Sequence, residues 1–521
     1  MYSESKSSAI FTVVNYGREH LLKIRENNYC RYINLTAICV LLLHMCVPIL
    51  AGPDTKNWVG TWACAPYKAT SNLPPITLTG NTLRQVVRVS IGGDTLRLKF
   101  SNYTFGKAIS LNSVNIAVSP DGTQSGVTAS TIKELKFSGS SSVTINAHSE
   151  IYSDPLAFDL KPNMRLAITI YYGNCESSAD MTFHYGSRTP SYIMSGDKST
   201  SVDFSGAMMV ERWYTISAIE VLGSPNAAAV AVIGNSITDG YGLSGGLQNR
   251  WTDVFSERLL ENPATEQVGV LNLGIGATLV TRASNGAQSG VDRFDHDILQ
   301  QSGVRWVIIF YGVNDIGANI QANSIIDGIR RMVTAAHDKN IKVFGATITP
   351  FNGSGYYSVE HEKVRNEVNR WIRTDSSLDG FLDFDKVLCN PNDTSRLKSE
   401  YSNDWLHPNA AGYKAIGESI NSDLFLVPDV VPVQSTELWS NTTLCIRQHH
   451  GTAHISFDIP YSSFVAFKVY DVLGKALAET SGKTFDRGRH SMTFQPKTSG
   501  TYVFSLKAGN YSVSKALILI K

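Results

Sequence analysis

The sequence predicts an α/β domain built on a parallel sheet, with a β-sandwich before it and a smaller β-sandwich after it. Three observations carry that expectation. Apolar residues alternate with period two from 58 to 222, short apolar runs alternate with helical segments from Ala227 onward, and the period of two returns beyond a linker containing Pro428 and Pro432.

A chain of 521 residues needs more than one core, because single cores stop growing at roughly 250–300 residues. The expected units are a signal segment (1–51), an N-terminal β domain (52–222), the α/β domain (223–428), a linker (429–440) and a C-terminal β domain (441–521). The composition, 43% hydrophobic and 17% charged, is that of a folded globular protein. A net charge of +1 with no basic stripe argues against a nucleic-acid or polyanion partner.

In the first segment Lys23, Arg25 and Arg31 precede a mostly apolar run over 35–50, which ends in Pro48-Ile49-Leu50-Ala51-Gly52. Basic residues, an apolar stretch and small residues in that order describe an export signal. The run is short of the roughly 20 apolar residues of a membrane span, so no permanent span is expected. Of seven cysteines, Cys64, Cys175, Cys389 and Cys445 follow the signal. An even number in an exported chain permits disulfides, with Cys64 and Cys175 a candidate pair inside one domain, and no Cys/His spacing suggests zinc.

In the N-terminal β domain Leu96, Leu98 and Phe100 alternate with Arg97 and Lys99, and Leu166, Ile168 and Ile170 with Ala167 and Thr169. Both read as half-buried strands, and no amphipathic helix is evident. In the α/β region the apolar runs are 229–234, 268–274, 304–312, 342–350 and 381–387, and the helical segments are 324–340 and 360–374. Ile325, Ile329, Met332, Val333 and Ala336 mark one helix face. Such alternation predicts a parallel sheet with helices on both faces, and ligands of such sheets bind beyond the carboxyl ends of the strands. After the linker, Val465, Phe467 and Val469, then Tyr502, Phe504 and Leu506, alternate as strands.

The residues at the strand ends carry the chemistry. Gly234-Asn235-Ser236-Ile237-Thr238-Asp239-Gly240 follows the first strand, which exposes Ser236 on a turn. Serine and glycine there could equally serve capping and positive φ. Company decides otherwise: the third strand runs into Gly312-Val313-Asn314-Asp315, and Asp404-Trp405-Leu406-His407-Pro408 closes the region. An aspartate three residues before a histidine lets one turn of chain present both, so that Asp404 orients His407 and His407 takes a proton from Ser236. Asp383 and Asp385 are alternatives to Asp404. Candidate oxyanion donors are the N–H of Ser236, the amide of Asn314 and an N–H within Asn272-Leu273-Gly274-Ile275-Gly276-Ala277. Gly242-Leu243-Ser244-Gly245-Gly246 formally matches a nucleophile elbow, but no strand precedes it and it reads as a loop.

These four stretches, in order over 227–426, resemble the conserved blocks of the SGNH (GDSL-like) hydrolases. The resemblance implies a three-layer α/β/α (flavodoxin-like) fold and a metal-free, cofactor-free serine esterase. It implies Ser236, Asp404 and His407 as catalytic residues and Ser236, Ala277 and Asn314 as the oxyanion hole. Two positions depart from the family pattern: Asn235 stands where aspartate is usual, and Ala277 where glycine is usual. The stretches Trp58-Val59-Gly60-Thr61-Trp62 and Ser191-Tyr192-Ile193-Met194-Ser195-Gly196-Asp197 resemble the β-rich leader of a branch of secreted bacterial SGNH esterases. The stretch Lys468-Val469-Tyr470-Asp471-Val472-Leu473-Gly474 and the run from Ser499 to Tyr511 resemble the sorting domain of the type IX secretion route, which implies the secretion machinery as a partner. The function expected is a secreted or surface esterase removing acetyl groups from plant cell-wall polysaccharide. The alternatives are a glycan-binding protein on an inactive hydrolase fold, and a lipase, arylesterase or acyltransferase with the same site.

Overall fold

The computed structural model describes residues 57–427, 444–449, 451–459, 463–471, 475–485, 488–508 and 511–520. The expected signal segment and the linker lie outside the described residues.

The α/β region is built as expected from a parallel sheet. Its strands are β1 (Ala228–Gly234), β2 (Val268–Gly274), β3 (Val304–Phe310), β4 (Lys342–Ala346) and β5 (Gly380–Leu382), in the spatial order β2-β1-β3-β4-β5. That order reverses beside β1, which makes the end of β1 the switch point where ligands bind in such sheets. Every residue of β1 is buried, as a central strand covered on both faces must be. The helices α1 (Ser236–Asp239), α2 (Trp251–Glu261), α3 (Gly290–Phe294), α4 (Val313–Gly317), α5 (Ala322–His337), α6 (Val359–Thr374), α7 (Phe384–Leu388) and α8 (Ala410–Ser419) connect the strands. They form two contacting groups, α2 with α8 and α7, and α5 with α3 and α6. The α5 face of Ile325, Ile329, Met332, Val333 and Ala336 is buried as its spacing predicts.

Three strand ends differ from expectation. β3 stops at Phe310 because Gly312, at φ 113°, turns the chain into α4. β4 stops at Ala346, after which Ile348 gives its N–H to the Asn369 side chain rather than to a neighbouring strand. Beyond β5 the apolar run is helical, because Asp383 accepts the Lys386 N–H and caps α7. A short apolar run does not distinguish strand from helix.

Before the sheet, the described residues hold antiparallel strands and a single 3-10 turn at Ala129–Thr131. A seven-stranded sheet centres on Asn81–Arg88, Arg165–Tyr172 and Ile109–Val118, and a five-stranded one on Asn57–Ala63, Ile216–Gly223 and Gly93–Ser101. Leu96, Leu98, Phe100, Leu166, Ile168 and Ile170 are all fully buried. The expectation of half-buried strands fails for Arg165–Tyr172: Ala167 and Thr169 are buried too, because a second small cluster of Val86, Ala117 and Val127 covers that face. Cys64 and Cys175 are separate buried thiols rather than a bridge, and burial pushes the Cys175 thiol up to about 12.

The N-terminal strands share one continuous core with the α/β sheet, from Val59 and Leu98 through Val230 and Leu271. Polar contacts cross the same seam: Gly60 N–H donates to Ser302 O at 2.9 Å, and Val270 N–H to the Ser90 hydroxyl at 3.0 Å. Tyr103 stacks on His296 at 3.9 Å. The His296 ring lies 2.7 Å from Asp297 and 3.3 Å from Glu150, which also pairs with Lys99. Burial alone would lower the imidazole, but the two carboxylates raise it to about 9. Burial alone would raise Glu150, but His296 and Lys99 bring it to about 2. The folded state therefore holds the His296 proton more tightly, a stabilisation complete below pH 6.5 and lost as pH rises through about 9. The Glu150 contribution is complete above pH 4.5 and lost as pH falls toward about 2. Thermal unfolding across pH should show His296→Gln least stable relative to wild type between those limits, the gap shrinking as pH rises through about 9.

In the C-terminal region the described strands form two antiparallel sheets, Cys445–His449, Thr452–Ile459 and Gly488–Phe494 in one, and Ala476–Phe485, Ser463–Asp471, Gly500–Ala508 and Tyr511–Leu519 in the other. Val465, Phe467, Val469, Tyr502, Phe504 and Leu506 lie in its core, as their alternation predicts. Among the described residues no helix is long and apolar enough to cross a membrane.

Candidate active site

Ser236 opens α1 directly beyond β1. The turn is tight: a β-carbon on Gly234 would stand 2.3 Å from the Thr238 hydroxyl and 2.7 Å from Phe310 O, so only glycine fits. Asn235 caps the helix, its side-chain oxygen accepting the Ile237 N–H at 3.0 Å. An aspartate would cap in the same way, so the departure from the family pattern leaves the local geometry intact. As the first residue of a helix Ser236 has an N–H with no intrahelical acceptor, available to an oxyanion.

The structure brings Ser236, His407 and Asp404 together. Ser236 Oγ is 2.9 Å from His407 Nε2, and His407 Nδ1 is 2.7 Å from Asp404 Oδ2. Asp404 Oδ1 accepts the backbone N–H groups of His407 and Leu406 at 2.8 and 3.0 Å, which holds the carboxylate in place within the turn. Burial alone would raise the Asp404 carboxyl, but the His407 ring and these two N–H groups hold it below its ordinary value. Ser402 donates its hydroxyl to His407 O at 2.7 Å and accepts the Trp405 N–H at 2.9 Å, closing the loop. The alternatives Asp383 and Asp385 are engaged elsewhere, paired with Arg373 and, for Asp385, with Arg365. The Gly242-Leu243-Ser244-Gly245-Gly246 stretch is a loop, with φ of 86° at Gly242 and 81° at Gly246.

Asn314 lies on α4. Its Nδ2 donates to Thr278 O at 2.9 Å and its Oδ1 accepts the Tyr356 hydroxyl at 3.3 Å. An amide carries two N–H bonds, so the Thr278 contact leaves one available. The loop after β2 lies against the nucleophile: a β-carbon on Gly276 would stand 3.9 Å from Ser236 Cβ. Ala277 follows with φ 61°, the left-handed conformation for which glycine is suited. Ala277→Gly is therefore expected to stabilise the protein by up to ~1 kcal/mol in urea unfolding, since relief of ~1–2 kcal/mol of strain is partly offset by the freer unfolded chain.

Several supporting residues escaped sequence reasoning. Asp315 accepts the N–H groups of Val280 and Thr281 at 2.8 and 3.2 Å, which ties the loop after β2 to α4. Burial pushes its carboxyl above the ordinary value, against those two bonds. Arg293, 2% exposed, donates to Leu273 O at 2.8 Å and Gly234 O at 3.1 Å, joining the carboxyl ends of β2 and β1 beneath the serine. Asp239, at the end of α1, meets His184 Nε2 at 3.1 Å and Arg188 at 3.6 Å, both from the N-terminal β region. The Tyr241 ring lies 4.3 Å from that of His407. Asp239 and Asp315 sit inside motifs the sequence displays; His184, Arg188 and Arg293 have no local signal, because their partners are far away in the chain.

Chemically, the arrangement offers a hydroxyl whose proton a histidine can accept, a carboxylate to hold the resulting imidazolium, and N–H donors around the serine. The model of the GDSL-like Lipase/Acylhydrolase family matches residues 232–415, which include Ser236, Asn314, Asp404 and His407. No curated protein matches the chain significantly. Among solved structures, a protein assigned to the lipolytic G-D-S-L family of Desulfitobacterium hafniense DCB-2 is 24% identical, with a TM-score of 0.30, over 37% of this chain and 97% of its own. A protein assigned as an acylhydrolase of Bacteroides fragilis NCTC 9343 is 20% identical, with a TM-score of 0.31, over 39% of this chain and 90% of its own. A GDSL-like lipase of Bacteroides thetaiotaomicron VPI-5482 is 18% identical, with a TM-score of 0.29, over 38% and 87%. The family match spans the nucleophile turn and the Asp404/His407 turn, and the chain is accordingly a carboxylic ester hydrolase carrying a GDSL-like lipase/acylhydrolase domain.

Proposed function

We propose that the protein is an exported serine esterase that removes acetyl groups from plant cell-wall polysaccharide through a Ser236 acyl-enzyme. The observation that carries the mechanism is the unbroken contact chain from Ser236 Oγ to His407 Nε2 at 2.9 Å and from His407 Nδ1 to Asp404 at 2.7 Å. His407 takes the Ser236 proton as Oγ attacks the ester carbonyl carbon, while the N–H groups of Ser236 and Ala277 and the Asn314 amide receive the oxyanion. Collapse of the tetrahedral species breaks the bond to the alcohol oxygen, which leaves with the proton from His407. Water, deprotonated by His407, then attacks the acyl-serine and releases the acid, restoring Ser236.

Asn314→Ala tests the oxyanion role and is expected to lower kcat by about 10²–10³-fold with little change in KM, read from steady-state kinetics on a small ester. Export rests on residues 1–51 and on the resemblance of 441–521 to a type IX sorting domain, and the flanking β regions are taken as sandwiches. The polysaccharide substrate rests on that same context. Acetate release from acetylated xylan, compared with hydrolysis of p-nitrophenyl acetate, tests it: release from both is expected, and activity on the small ester alone would overturn the polysaccharide assignment.

A further inference from the structure

A cleft of about 740 Å³ opens along the seam between the N-terminal β region and the loop after β2. Its volume is within the ~300–1,000 Å³ of small-molecule sites. Its lining draws Lys68, Tyr103 and His148 from the N-terminal β region and Ile275, the 283–288 segment and Arg293 from the α/β region. Both halves of the molecule are needed to form it. Ser284 and Ala287 exchange backbone hydrogen bonds at 3.1 and 2.9 Å around a turn with φ of 50° at Asn285 and 78° at Gly286. The tip of that turn meets the N-terminal region, since a β-carbon on Gly286 would stand 3.0 Å from Lys68 O.

The same segment leads to the reaction centre. Ser284 donates its hydroxyl to Ala277 O at 2.7 Å, Ile275 lines the cleft, and Gly276 between them lies against Ser236. A group extending from an ester held at Ser236 can therefore run along residues 275–288 into the cleft.

The lining selects the chemistry of that group. The lining combines the aromatic residues Tyr67, Tyr103 and His148 with Asn285, Gln288 and Lys68, whereas its aliphatic residues are confined to Ile275, Pro66 and two alanines. A fatty acyl chain needs continuous aliphatic walls; a sugar presents flat C–H faces and hydroxyls, which aromatic rings and polar side chains meet.

We propose that this cleft binds the carbohydrate portion of the substrate, so that the N-terminal β region is part of the substrate site. The proposal rests on the glycan-esterase reading above for its substrate, and the test separates the two. Ala283 is exposed and lines the cleft, so Ala283→Trp in the full chain fills it. The ratio of kcat/KM for an acetylated xylo-oligosaccharide to that for p-nitrophenyl acetate is expected to fall about tenfold, mainly through KM. Binding of unacetylated xylohexaose to Ser236→Ala, measured by calorimetry, is expected to vanish when Ala283→Trp is added. An unchanged ratio with undiminished binding overturns the proposal. If the wild type releases no acetate from any glycan, the glycan-esterase reading fails, and xylohexaose binding then decides the cleft: binding sensitive to Ala283→Trp supports it, and no binding overturns it.

Discussion

Alanine in place of Ser236 is expected to lower kcat on p-nitrophenyl acetate by about 10⁵–10⁶-fold, with the folded state unchanged. The magnitude is that seen when the nucleophile of a serine triad is removed, where the residual rate comes from the oxyanion donors and binding alone. Here the proposed oxyanion donors survive the substitution, because the Ser236 N–H is a backbone group and Ala277 and Asn314 are untouched. Alanine fits the one-turn helix, whose cap is the Asn235 side chain rather than the serine hydroxyl. Single-turnover assays with an active-site titrant would check the prediction. Retention of more than a hundredth of the wild-type rate would remove Ser236 from the mechanism.

Asp404→Asn is expected to cost about 10⁴ in kcat, by analogy with the equivalent change in serine proteases. The contacts give the reason. Asp404 Oδ1 is pinned by the N–H groups of His407 and Leu406, so an asparagine would keep its oxygen there and turn its NH₂ toward His407 Nδ1. A donor facing Nδ1 moves the imidazole proton to Nε2, the atom 2.9 Å from Ser236 Oγ, and a protonated Nε2 cannot accept the serine proton. The loss should appear in kcat with KM largely preserved. The corresponding change at Asp383 should leave kcat within a few-fold, since Asp383 faces Arg373 and caps α7.

Much of this site was legible in the sequence because its parts are local. Asn235-Ser236, Gly312-Val313-Asn314-Asp315 and Asp404 through His407 are short stretches whose geometry is set by a turn, and the Asp404/His407 pair is satisfied within three residues. Ala277 was identified on the resemblance alone; its left-handed φ accords with a position where the family carries glycine. The boundaries of β3, β4 and β5 were less legible, because short apolar runs such as 304–312 and 381–387 have the same composition whether they continue as strand or turn into helix.

The sequence by itself determined the alternation of strands and helices in the α/β region, the buried face of α5 and the residues at the carboxyl edge of the sheet. All of these follow from periodicity and local turn chemistry. Only the tertiary structure decided that the N-terminal β region is bonded into the α/β domain. His184 reaches Asp239, Tyr103 covers His296, and one continuous core runs from Val59 to Phe425. It also decided that Cys64 and Cys175 stay apart and that Arg293 binds the strand ends behind Ser236. Each of these contacts joins residues that are distant in the chain or engages backbone carbonyls of other strands, and neither leaves a periodic trace in the sequence.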